Sequence, residues 1–145
     1  MTGRSCMRAM VLEAPGQPLR AKELPIPIPG SGQIQLQVHA CGVCRTDLHI
    51  IDGELQEPKP PLILGHQIIG TVTTLGQGAD HFRVGERVLR SVANLTRRDG
   101  EEFMSIAPQV PVQTNVELFP LADANEALTK VRHGAVRGAA VLMIA

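Results

Sequence analysis

The side chains best suited to chemistry crowd into one stretch. From His39 to His49 the chain reads His-Ala-Cys-Gly-Val-Cys-Arg-Thr-Asp-Leu-His. It offers two thiols, two imidazoles, a hydroxyl and a carboxylate, the groups that ligate borderline metals and relay protons. Taken alone, Cys41-Gly42-Val43-Cys44 has two sharp meanings. A redox pair needs a helix N-terminus inside a βαβ unit. A zinc ribbon needs a second pair. Neither context is present, and Cys6 is the one other cysteine. On the motif alone, the pair reads as two semi-buried thiols in a glycine-containing loop. Plain readings also stand beside the neighbours. His49 suits the surface of a short helix, Thr46 and Asp47 suit capping, and His66 suits a polar strand entry. Arg45 and Arg137 suit solvated charges.

These groups must be positioned by short elements. Residues 33–40 are the clearest strand, with Ile34, Leu36 and Val38 alternating with Gln33, Gln35, Gln37 and His39. Strands are also expected over residues 7–13, 19–24, 67–75, 85–92 and 138–144, with residues 62–64 leading into Gly65-His66. Residues 45–51 read as a short helical turn closed by Asp52-Gly53. Two helices are expected later. Residues 96–107 have Thr96 as N-cap and Pro108 as the stop. Residues 123–133 carry a capping-box pattern in Asp123 and Glu126, an apolar face in Ala127, Leu128 and Val131, and Gly134 just past the end.

Composition bounds the rest. The chain has 145 residues, with 43% hydrophobic and 19% charged, which suits a globular core. Fourteen Lys plus Arg balance fourteen Asp plus Glu, so no global pull toward nucleic acid or anionic membrane is expected. With no Trp, no Tyr and three Phe, stacking on bases is nearly excluded. Fourteen Gly and eleven Pro point to a β-rich fold with many corners. Three cysteines make no disulfide framework. The N-terminal stretch has no apolar run of the signal-peptide kind, and no run is long enough to span a bilayer. A cytoplasmic location is the expectation.

Three blocks then carry a resemblance. They are His39–His49, Pro-Leu-Ile-Leu-Gly-His-Gln-Ile-Ile-Gly from Pro61 to Gly70, and Phe-Arg-Val-Gly-Glu-Arg-Val from Phe82 to Val88. In this order and spacing they resemble the catalytic domain of the zinc-dependent alcohol dehydrogenases, of the medium-chain dehydrogenase/reductase group. The resemblance implies an α+β fold: a GroES-like β-barrel, mostly antiparallel, with two short helices in the C-terminal third. It divides the chain into an N-terminal catalytic part (1–88), a strand-and-helix remnant of a nucleotide-binding domain (89–108) and a C-terminal return into the catalytic part (109–145).

Residue by residue, it implies Cys44 and His66 as zinc ligands and Cys41 as a non-ligand. Asp47 would orient the ligand histidine, with Gln67 also in the outer shell where many members carry Glu. Thr46 would take the proton of a bound alcohol and His49 would pass it on. Arg45 and Arg137 would touch the pyrophosphate of NAD(P).

The sequence also departs from the family. No cysteine follows Cys44, whereas a catalytic zinc site normally has three protein ligands. The four-cysteine structural zinc lobe is absent. No strand–Gly-x-Gly-x-x-Gly–helix unit for a dinucleotide can be found. The expectation is an alcohol dehydrogenase-like oxidoreductase, acting on a small alcohol or aldehyde by resemblance, that binds zinc weakly or not at all. NAD(P) is expected as an ancestral cofactor, no longer bound, so the chain alone is expected to be inactive. The alternatives are a non-enzymatic module that binds a partner or self-associates, and a decayed deletion product. Residues 89–93 and 96–107 would lack the sheet they normally cover. Phe103, Met104 and Ile106 would need a new partner, either the barrel or a second copy in a homodimer.

Overall fold

The computed structural model describes residues 6–55, 57–91 and 96–144. The elements run β1 (Cys6–Leu12), β2 (Arg20–Pro25), β3 (Ile34–Val43), α1 (Arg45–Ile51), β4 (Leu62–Ile63), β5 (Gln67–Leu75) and β6 (Arg87–Ser91). They continue with α2 (Arg97–Ile106), β7 (Val116–Pro120), α3 (Ala124–Arg132) and β8 (Ala139–Met143). Two sheets form, one ordered β2-β1-β4 and the other β6-β5-β3-β8-β7. All pairings are antiparallel except β7 with β8. The mostly antiparallel α+β fold is thus as expected, with α2 and α3 in the C-terminal third. None of the described helices is long and apolar enough to cross a membrane.

The N-terminal hairpin turns at Ala14-Pro15-Gly16-Gln17-Pro18, and Gly16 N–H donates to Ile51 O at 2.6 Å, tying the turn to the end of α1. β3 is the spine of the larger sheet. It pairs with β5 on one side and β8 on the other. This corrects the loop reading of Cys41–Cys44. Cys41, Gly42 and Val43 are the last three residues of β3, laddered to Ile68 and Gln67 and to Leu142, Val141 and Ala140. Two flanking strands satisfy their backbone groups, and only Cys44 leaves the sheet.

β7 was not foreseen. It joins β8 in parallel through α3, whose buried Ala124, Ala127 and Leu128 meet Leu12, Leu19, Val43, Leu48, Phe119 and Leu142 in one core. The C-terminal segment therefore closes the core begun by β1 and β3. Asn125 makes the join polar as well: its side chain accepts from Leu19 N–H and donates to Leu19 O, both at 2.9 Å. Leu19 is buried, so Asn125→Ala strands a donor and an acceptor. A loss of about 1–3 kcal/mol is expected, read as a drop in the urea midpoint at unchanged slope.

Helix ends follow local chemistry. Thr96 and Asp99 cap α2 reciprocally, as a capping box does. At α3 the expected box does not form. Asp123 makes no side-chain cap bond, and Glu126 instead pairs with Lys130 at 3.7 Å. The cause is the backbone: a 3-10 turn over Leu121–Asp123 puts Asp123 at φ −93 and ψ 18, away from the extended geometry an N-cap needs. The C-terminal end is as read. Gly134 has φ +65, Ala135 N–H reaches Lys130 O and Gly134 N–H reaches Val131 O, a Schellman closure.

Residues 89–91, expected in the remnant strand, ladder against Ile69, Ile68 and Gln67 of β5; residues 92–93 lie outside the described residues. α2 buries no residue.

Candidate metal centre

The site is built where β3 hands over to α1 and β4 hands over to β5. Cys44 is the N-cap of α1, with extended backbone (φ −143, ψ −170), and its sulfur accepts Thr46 N–H at 3.4 Å. Asp47, three residues on, completes the box: its Oδ2 accepts Cys44 N–H at 2.8 Å. The capping reading of Asp47 is therefore correct as far as it goes. Its second oxygen does something else. Asp47 Oδ1 accepts Gly65 N–H at 3.1 Å and lies 3.6 Å from His66 Nδ1. One carboxylate thus fixes the start of the helix and the loop before β5, and faces the imidazole ring.

The result is a compact buried group. His66 Nε2 stands 3.5 Å from Cys44 Sγ. One ligand atom each from Cys44, Asp47 and His66 falls within 4.8 Å of the others. Asp47 is 1% exposed and His66 6%. The sequence separates Cys44 and His66 by 22 positions, and the β3–β5 ladder, with Gly42 opposite Gln67, is what joins them.

The donor set can be tested against a metal. Zinc binds sulfur at about 2.3 Å and imidazole nitrogen at about 2.0–2.1 Å in tetrahedral geometry, which puts the two donors roughly 3.6 Å apart. The observed 3.5 Å fits. The ring orientation fits too, since Nδ1 faces a carboxylate while Nε2 is turned to the sulfur.

Two neighbours refine the site. Cys41 faces the buried side of β3, where burial, with Asp47's charge adding to it, pushes its thiol up to about 11. Cys41 is not among the ligand atoms that cluster with Cys44, Asp47 and His66, so the two cysteines in C-x-x-C spacing are placed differently. Gly65 was passed over in the sequence beyond its place in a motif. It has φ +107, and a Cβ there would meet Cys41 Sγ at 2.2 Å. Only glycine lets the chain enter β5 this close to Cys41.

The other sequence candidates lie apart from this cluster. Thr46 is half-buried on the first turn of α1 and touches the site through its backbone N–H. His49, a turn further along, bonds through Nδ1 to the Glu54 carboxylate. That partner was not anticipated. The Asp52-Gly53 turn brings it back, with Gly53 at φ +75 and Glu54 N–H on His49 O at 3.0 Å. Gln67 is exposed, with its side-chain oxygen over Gly42. Arg45 is exposed beside Cys44, and Arg137 is exposed in the loop before β8.

Comparison with known proteins bears on these observations. Residues 30–110 match the family described as the alcohol dehydrogenase GroES-like domain. An alcohol dehydrogenase from Moraxella sp. (strain TAE123) is 45% identical over 83 residues, which is 57% of this chain and 25% of that protein. The crystal structure of a putative zinc-binding dehydrogenase from Sinorhizobium meliloti 1021 bound to NADP is 36% identical, with a TM-score of 0.54 over 58% of this chain and 24% of that one. The chain thus matches about a quarter of the length of these relatives. The human synaptic vesicle membrane protein VAT-1 homolog-like structure superposes with a TM-score of 0.84, covering 96% of this chain and 98% of that one. At 13% identity this last likeness concerns the fold alone.

Proposed function

Because the chain belongs to the alcohol dehydrogenase GroES-like domain family, we propose that it carries the metal- and alcohol-binding half of a zinc-dependent NAD(P) oxidoreductase. The observation that carries this reading is the pairing of Cys44 Sγ and His66 Nε2 at 3.5 Å with a buried carboxylate behind the imidazole. Cys44 and His66 would hold the metal. When bound, zinc supplies a Lewis acid that polarises an alcohol oxygen and makes its proton easier to lose.

The chain's own groups do the remaining work. Asp47 keeps the His66 ring turned so that Nε2, not Nδ1, meets the metal. The Thr46 hydroxyl would relay the alcohol proton, taking it up as it gives its own away, and His49, held through Nδ1 by Glu54, would deliver the released proton to water. Gln67 borders the site without adding charge. Arg45 and Arg137 are the cations assigned to the pyrophosphate of NAD(P).

The same reading divides the chain into a catalytic part (1–88), a short nucleotide-domain remnant (89–108) and a return segment (109–145). It also sets a limit. With Asp47 capping α1 through one oxygen and facing His66 Nδ1 with the other, this reading leaves zinc two side-chain ligands, which would hold it more weakly than a three-ligand site. Without a dinucleotide-binding unit, the chain alone turns over no alcohol.

Zinc titration of the metal-free chain against a chromophoric chelator tests this, alongside NADH titration by fluorescence. Uptake of one zinc per chain, with unchanged NADH emission, is expected. No zinc uptake removes the metal reading. One tightly held zinc together with saturable NADH binding removes the ground for calling the chain inactive alone.

A further inference from the structure

The outer face of the five-stranded sheet carries an apolar row that crosses every strand. Pro120 of β7 lies beside Met143 of β8, Met143 beside Ala40 of β3, Ala40 beside Ile69 of β5, and Ile69 beside Leu89 of β6. Residues opposite one another in a ladder share a face. The opposite face holds Cys41, Val43, Phe119, Ala140 and Leu142, all buried in the core. Most of the outer row is open: Leu89 is 68% exposed, Ile69, Met143 and Pro120 are exposed as well, and Ala40 at its centre is half-buried. Val116 and Leu118, alternating with the buried Phe119 on β7, widen it and are exposed too. An uncovered apolar face of this extent on a sheet marks a contact surface.

The same chain holds a second uncovered apolar surface. On α2, Phe103, Met104 and Ile106 are 57%, 63% and 56% exposed. The dimensions agree. Four inter-strand steps make the row about 19 Å across, and Val116 to Pro120 makes it about 13 Å deep at β7. A helix of ten residues is about 15 Å long. Charge does not oppose self-association, because the formal net charge is zero.

From these two surfaces we infer that two copies of this chain form a reciprocal dimer, each laying α2 across the outer sheet face of the other. A two-fold axis makes the exchange self-complementary and gives two helix-on-sheet contacts. It covers both apolar surfaces at once. Packing sheet face to sheet face would leave α2 bare, and pairing β7 edge to edge would leave both bare. The dimer is independent of the zinc reading.

The test uses two exposed positions, Phe103→Asp on the helix and Leu89→Asp on the sheet, with circular dichroism melts confirming that each folds. Light scattering after gel filtration should give a dimer mass for the parent chain, with or without zinc, and a monomer mass for each variant. An equimolar mixture of the two variants should regain dimer mass. In that pair one intact helix meets one intact sheet. A monomeric parent chain overturns the inference. So does a dimer insensitive to both substitutions, one broken by Leu89→Asp alone, or a mixture that stays monomeric.

Discussion

Cys44→Ser should leave the chain folded and strip it of zinc. The substitution separates two jobs done by one side chain. As N-cap of α1, Cys44 accepts Thr46 N–H through a long sulfur contact of 3.4 Å. Serine is a preferred N-cap and makes that bond at least as well. Its own N–H still donates to Asp47, so unfolding midpoints should stay within about 0.5 kcal/mol of the parent. The metal loses one of its two protein donors, and the one with the formal charge. Removing an outer-shell partner typically costs 10–100-fold in affinity; loss of a ligand from a two-ligand site should exceed about 100-fold. Chelator competition measures this directly. If Cys44→Ser binds zinc as the parent does, the 3.5 Å approach to His66 is a thiol–imidazole hydrogen bond and nothing more.

Much of the positioning machinery could be read from sequence, and the failures share a cause. β5 runs over the residues expected, Gln67–Leu75, and Thr96 caps α2 as expected, because alternation and capping are local signals. Cys41-Gly42-Val43 looked like a loop because a glycine between cysteines gives no strand signal. Its strand character comes from β8, about a hundred positions away. β7 was missed for a similar reason: Val-Glu-Leu-Phe-Pro is short and ends in proline, and its pairing depends on the α3 crossover. Asp123 fits the capping pattern but is denied the geometry by the 3-10 turn before it.

The site divides along the same line. Cys44 and His66 were legible as residue types in a family-like order, but their meeting depends on the β3–β5 register. Glu54 carried no signal as a partner of His49 until the Asp52-Gly53 turn was seen. Asp47 is the instructive case, since two readings of it compete in the sequence and the structure gives it a capping bond through one oxygen while the other lies 3.6 Å from His66 Nδ1.

Asp47→Ala should therefore fail in two measurements at once. Removing the carboxylate leaves Cys44 N–H and Gly65 N–H without acceptors in a part-buried setting. Each orphaned donor costs about 1–3 kcal/mol, so the metal-free variant should lose roughly 2–6 kcal/mol. Each kcal/mol lowers the melting temperature of a chain this size by about 2–4 °C, so a fall of roughly 4–24 °C is expected. Zinc affinity, measured well below that melting temperature, should fall about 10–100-fold, because His66 loses the anion that faces Nδ1 and raises the basicity of Nε2. Asp47→Asn sharpens the distinction. Its amide oxygen can still accept one N–H, so stability should fall between the two. The negative charge is gone in both variants, so zinc affinity should drop nearly as far as in Asp47→Ala. Equal losses of stability and affinity across both variants would mean that zinc binding merely follows folding. Lowered stability with intact zinc affinity would reduce Asp47 to a helix cap.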